Sequence, residues 1–180
     1  MTGNEQIIAQ TKSWITEVVI ACNFCPFAAK EVKQNTIHYQ VEESTVLKVC
    51  IDAFVRECIK LDSDEKIETT LLIFSNGFAD FNDYLNLVAL AEKSLKRKGY
   101  EGVYQVASFH PLYCFAGAEN DDAANYTNRS VYPMLHLLRE VTIEAALTKY
   151  TNHEEIPQRN IAFAREKGIT YMKLLRDSCL

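Results

Sequence analysis

The sequence lacks a long hydrophobic run, because no apolar segment approaches the roughly 18 residues needed to cross a bilayer. The first residues are polar and not basic, so we expect no secretory signal peptide. Internal repeats and low-complexity tracts are also missing. These absences predict a globular, cytosolic protein without a membrane segment. The 180 residues predict one domain over 1–180.

Positive charge is also scarce, since the formal net charge is -5. A nucleic-acid surface needs clustered Lys and Arg, and the nearest cluster (93–98) is typical of the solvated end of a helix. We therefore expect no nucleic-acid partner. In a reducing cytosol the six cysteines are expected to be free, metal-binding or redox-active, and not paired in disulfides.

Hydrophobic periodicity predicts an α/β fold. Helical spacing predicts helices over 5–21, 45–61, 81–98, 133–148 and 159–166, and apolar or alternating runs predict strands over 36–42, 69–74 and 103–109. This order predicts a single layered domain with a small central sheet of about three strands flanked by helices, plus a C-terminal helical segment. A parallel sheet and a split, partly antiparallel sheet both remain open.

The most unusual stretch runs from residue 106 to residue 130, where an apolar strand ends on His110 and a long polar connection follows. Connections of this length in compact domains are usually functional or disordered, and we favour the functional interpretation. Pro111 restricts the backbone of His110, which predicts a fixed ring direction. His110 is therefore a candidate general acid or base; the alternative is a histidine that hydrogen-bonds to the adjacent loop.

The polar connection supplies candidate substrate-binding residues: Asp121, Asp122, Asn125, Thr127, Asn128 and Arg129, with Arg139 further along the chain. The planar guanidinium of Arg129 can hold a carboxylate or phosphate by two hydrogen bonds, so these residues predict a site for a small anionic or polar molecule. Asp121 or Asp122 could instead pair with Arg129 and form a structural clamp.

Cys25 precedes Pro26, which suits the first position of a helix. A thiol at a helix start is expected to have a lowered pKa and raised reactivity, so Cys25 and His110 are the candidate catalytic pair. The alternative is a small hydrophobic side chain packed between Phe24 and Phe27.

His136 and Glu140 are four residues apart, so a helix over 133–148 would place them on one face. This spacing can ligate a divalent transition metal, with His110 or Cys25 as the third ligand. A core histidine held by an internal partner is the alternative, because leucines surround His136.

Three segments resemble a bacterial family that is catalogued as the domain of unknown function number 1415. The segments are Asn23-Phe24-Cys25-Pro26-Phe27-Ala28, Ala107-Ser108-Phe109-His110-Pro111 with Phe115-Ala116-Gly117, and Thr127-Asn128-Arg129-Ser130 continued to Glu140. The resemblance implies a compact domain of about this length and no established reaction, cofactor or partner. Leu is common in the family where Cys22 stands here, which argues against a Cys22–Cys25 pair.

Four functional hypotheses follow from these residues. They are an enzyme that uses Cys25 and His110, a binding module without chemistry, a metal-binding protein, and a scaffold in which the polar residues are structural.

Overall fold

The fold is that of a computed structural model, in which residues 2–148 and 152–180 are described. The helices are α1 (Gly3–Trp14), α2 (Ala28–Gln34), α3 (Leu47–Ser63), α4 (Phe81–Arg97), α5 (Glu140–Leu147), α6 (Ile156–Lys167) and α7 (Ile169–Asp177). The strands are β1 (Ile37–Glu42), β2 (Thr69–Phe74), β3 (Tyr104–Phe109) and β4 (Met134–Arg139). A π-helical segment (Ile15–Ile20) follows α1, and short 3₁₀ helices cover Ala123–Thr127 and His153–Glu155.

The four strands form one mixed sheet in the order β1-β2-β4-β3. β1 and β2 are parallel, whereas β4 runs antiparallel to β2 and to β3. The predicted α/β class is confirmed with one strand more than expected. Of the two sheet types that the sequence left open, the partly antiparallel one is present.

The predicted helix over 133–148 is wrong, because its first half is strand β4 and only its second half is helix α5. Leu135 and Leu137 of β4 are fully buried on one face of the sheet, and Met134 is fully buried on the other. A strand that is covered on both faces reads as a continuous apolar run, which periodicity does not distinguish from a buried helix.

Helices α3 and α4 cover the face of the sheet that carries Leu72, Phe74, Leu135 and Leu137. The hydroxyl of Tyr84, on α4, is buried at the sheet, where it donates to the Met134 carbonyl (2.8 Å) and accepts from the Phe109 N–H (3.0 Å). Both predicted helices are confirmed, although α3 begins two residues later than expected.

The opposite face carries Leu71, Ile73 and Met134, against which Trp14 and the C-terminal helices pack. The Trp14 indole N–H donates to the Arg129 carbonyl at 3.2 Å and so links α1 to the polar connection. Among the described residues, no helix is long and apolar enough to span a membrane.

Candidate functional site

A cavity of about 270 Å³ lies over this second face of the sheet, and we call it the sheet cavity. Its floor is formed by β1, β2, β3 and β4, and its walls by the end of α1, the π-helical segment, α2 and α5. Its apolar lining includes Trp14, Ile15, Val19, Phe27, Ile37, Leu71, Ala107, Phe109, Leu138 and Ile143. The lining also includes the thiol of Cys25, the hydroxyl of Thr69 and the imidazole ring of His136.

Strand register explains why there is space above the sheet. Leu71, His136 and Ala107 lie side by side on β2, β4 and β3. Ala107 contributes only a methyl group next to the His136 ring. Phe109, the next residue of β3 on the same face, has a large side chain that packs edge-on against Trp14, with 5.2 Å between the ring centroids. The packed core therefore ends at Phe109, and the cavity begins at Ala107.

His136 is held by a short chain of hydrogen bonds. Thr69 Oγ1 donates to the Leu137 carbonyl, and the same oxygen lies 2.7 Å from His136 Nε2. Burial lowers the pKa of His136 to about 4, so the ring is neutral at physiological pH. The residue keeps partial solvent accessibility because it lines the cavity.

Cys25 lies in the loop before α2, which begins at Ala28 and not at Pro26 as predicted. The backbone amides of Phe27 and Ala28 donate to its sulfur and act to lower the pKa, as a helix start would. Desolvation by burial outweighs them, and the pKa of the Cys25 thiol is raised. The expected lowering of this pKa is wrong because the sulfur is enclosed.

Lys30, Glu31 and Arg139 at the cavity already have partners, whereas Glu68 forms no ion pair with the described residues. Lys30 forms an ion pair with Glu31 at 2.9 Å. Arg139 donates to the Leu61 carbonyl (2.6 Å) and the Ile67 carbonyl (3.1 Å), so its guanidinium binds backbone at the end of β4.

The predicted His136–Glu140 pair on a helix does not form, because His136 lies in β4 and Glu140 is the first residue of α5. Within residues 2–148 and 152–180, no group of three His, Cys, Asp or Glu side chains could hold a metal ion.

His110 is buried away from the cavity lining, with both ring nitrogens bonded. Nδ1 accepts from the Leu112 N–H at 2.9 Å, so Nε2 carries the proton and donates to the Phe78 carbonyl at 2.7 Å. Desolvation lowers the pKa of His110 and favours this neutral ring. Phe78 has a left-handed backbone (φ 62°), a costly conformation for a bulky residue, and the His110 hydrogen bond helps to hold it.

Arg129 is also buried, and its partners are backbone carbonyls and an aromatic ring. Nε donates to the Tyr113 carbonyl (2.9 Å), Nη2 donates to the Asn120 carbonyl (2.8 Å), and the guanidinium lies 4.8 Å from the centre of the Tyr126 ring. Arg129 therefore holds separate parts of the long connection together. No ion pair joins Arg129 to Asp121 or Asp122 in this part of the chain; Asp122 pairs with Arg165 at 2.7 Å, which lowers the pKa of Asp122 to about 2.

Asn125, Thr127 and Asn128 of the connection also hydrogen-bond to backbone groups. Asn125 accepts from the Phe115 N–H (3.0 Å) and donates to the Glu119 carbonyl (2.9 Å). The Thr127 hydroxyl donates to the Ala124 carbonyl, and Asn128 reaches the Ser108 carbonyl at 3.5 Å.

Of the sequence-predicted site residues, the structure brings Cys25, His136 and Arg139 to the sheet cavity. His110, Arg129 and the 121–128 positions are not among the described residues that line it. Sequence reasoning missed Thr69 and Ala107, which look like ordinary strand residues and gain their roles only through strand pairing.

A family model described as "Protein of unknown function (DUF1415)" matches residues 6–174, which confirms the family resemblance. No curated protein and no solved structure matched the chain.

Proposed function

Because the chain belongs to the DUF1415 family of proteins of unknown function, we propose a function from the geometry: it binds a small, mainly apolar, uncharged molecule in the sheet cavity. The observation that carries the proposal is the cavity itself, with its apolar walls and a few convergent polar groups. That combination is typical of small-molecule sites.

The size of the cavity supports this proposal. Apolar cavities of about 150 Å³ bind benzene, and typical sites for drug-sized ligands begin near 300 Å³. A volume of about 270 Å³ therefore suits a ligand of one ring or a short branched chain. Such a ligand would regain packing contacts worth about 24 cal/mol for each Å³ that it fills.

The backbone next to the cavity also supports it. The π-helical segment Ile15–Ile20 supplies two lining residues, Ile15 and Val19. π-Helical turns are rare and occur frequently at functional sites, where the wider turn redirects side chains.

The electrostatics favour a neutral ligand over the anion expected from the sequence. His136 is neutral, and the thiol of Cys25 stays protonated because its pKa is raised. Lys30 forms an ion pair with Glu31, and Arg139 donates hydrogen bonds to backbone carbonyls. An anion in the cavity would lose its hydration without gaining a counterion, which is costly in an apolar environment.

We place this binding protein in the bacterial cytoplasm. The six cysteines are all free, which fits a reducing compartment. Fractionation of a bacterial cell that carries the gene tests the location.

Calorimetric titration with toluene tests the binding proposal. We expect saturable binding at one site, and at least about tenfold weaker binding to Ala107→Leu, whose side chain would occupy the cavity. Ala146→Leu, at the α5 wall, gives a second and milder block. The control is Ala89→Leu on the exposed side of α4, which should bind toluene as the wild type does.

Two results would contradict the proposal. One is no toluene binding to the folded wild-type protein. The other is equal affinity for toluene in the wild type, Ala107→Leu and Ala146→Leu.

A further inference from the structure

The hydrogen-bond chain at His136 fixes which ring nitrogen carries the proton. A carbonyl oxygen only accepts, so the single proton of the Thr69 hydroxyl goes to the Leu137 carbonyl. The hydroxyl must then accept from His136 Nε2, which lies 2.7 Å away. Nε2 therefore carries the proton of the neutral ring.

His136 Nδ1 is left with a lone pair. It is an acceptor, and no side chain or backbone group among residues 2–148 and 152–180 donates a hydrogen bond to it. The ring borders the sheet cavity, whose other walls there are largely apolar. Nδ1 is not among the fully buried, unpaired side-chain atoms of the described residues, so solvent can reach it. A ligand that excludes solvent from the cavity without donating to Nδ1 would leave this acceptor unpaired, so a ligand that donates to it gains more than one that only fills space.

The mainly apolar surroundings favour a neutral donor. A carboxylate would place its own lone pairs against Nδ1. An ammonium group could also donate, but it would depend on Glu68 for a counterion, since the Glu31 carboxylate is already paired with Lys30. A hydroxyl donates one proton and carries no charge.

The walls favour an aromatic ring. Trp14 and Phe109 meet edge to face, and the Phe109 ring lies 6.1 Å from the His136 ring. A ligand ring next to these side chains can adopt the offset and edge-on contacts that aromatic groups prefer.

We propose that the sheet cavity selects small phenols, with the phenol hydroxyl donating to His136 Nδ1 while Thr69 holds the ring in the required tautomer. This inference rests on the proposed function, since it names the ligand class of the same cavity.

The test compares three probes in the wild-type protein by calorimetric titration: p-cresol, its methyl ether 4-methylanisole, and toluene. We expect p-cresol to bind about fivefold or more tightly than the ether, although it is the better hydrated of the two. In His136→Phe, which keeps a flat ring but has no acceptor, the two should bind equally. Thr69→Val, which frees the tautomer, should reduce the preference.

A nitrogen NMR measurement on the wild type keeps the test independent of how the variants fold. The ¹⁵N shifts of His136 should report a protonated Nε2 and a bare Nδ1, and p-cresol should move the Nδ1 resonance. A protonated Nδ1, or equal affinity of the wild type for p-cresol and 4-methylanisole while toluene binds, would overturn this inference and leave the proposed function standing. Failure of all three probes to bind would overturn the proposed function.

Discussion

Acidification should destabilise this protein through His136. An ordinary histidine has a pKa near 6.5, but burial lowers that of His136 to about 4 in the folded chain. Between these two pH values the unfolded chain binds a proton that the folded chain does not. The stability that depends on a neutral His136 is therefore complete above about pH 6.5 and declines as the pH falls towards about 4.

The magnitude follows from the two pKa values. Each tenfold difference in proton affinity is worth about 1.4 kcal/mol, so the difference between 6.5 and about 4 corresponds to roughly 3 kcal/mol. Typical domains have unfolding free energies of about 5–15 kcal/mol, so this one side chain could account for much of the loss of stability in mild acid.

Urea denaturation at several pH values between 7 and 4 measures the effect, with His136→Gln as the comparison. Gln cannot titrate, but its amide can still donate to Thr69. His38 and His110, whose pKa values burial also lowers, are present in both proteins and cancel in the difference. From pH 7 to pH 4, the free energy of unfolding should fall by roughly 3 kcal/mol more in the wild type than in His136→Gln. Parallel curves for the two proteins would refute the reasoning.

Three further predictions follow from the site. His110→Phe should lower the free energy of unfolding in urea by about 2–4 kcal/mol, because two buried backbone groups lose their partners, and should leave the toluene affinity unchanged; a loss below about 1 kcal/mol would contradict the role of His110. Arg129→Met should lower the melting temperature without weakening toluene binding, because Arg129 holds the connection and does not border the cavity; weaker binding at an unchanged melting temperature would contradict this. Alkylation of Cys25 by iodoacetamide, followed by peptide mapping, should be slow at neutral pH and still accelerate above about pH 8.5, since its pKa is raised; a rate that levels off below that pH would be inconsistent.

The elements that could be predicted from sequence are those with their own local signals. β2 matched its predicted residues because an apolar run is bounded by polar residues, and α4 was located by Asp80, whose side chain caps the N–H groups of residues 82 and 83. Strand β4 was missed because no turn separates it from α5, so strand and helix read as one apolar segment.

The candidate site could be predicted only where residue type alone carries the signal. Cys25 and His136 stand out in any sequence, and both border the cavity. Ala107 has no such signal, because the space above it depends on the neighbouring strand. His110 and Arg129 also stand out, but they bind backbone carbonyls. Every residue has a backbone carbonyl, so such a partner cannot be identified from residue types.

The position of β4 has a consequence for how the chain assembles. β3 takes its place in the sheet only through β4, which is synthesised some 25 residues later and inserts between two strands made before it. On the ribosome, β1, α3 and β2 can associate as they emerge, whereas β3 has to wait for β4. Because His136 lies on that final strand, the sheet cavity cannot exist before the last sheet pairing forms, and occupancy by a ligand would report that the sheet is complete.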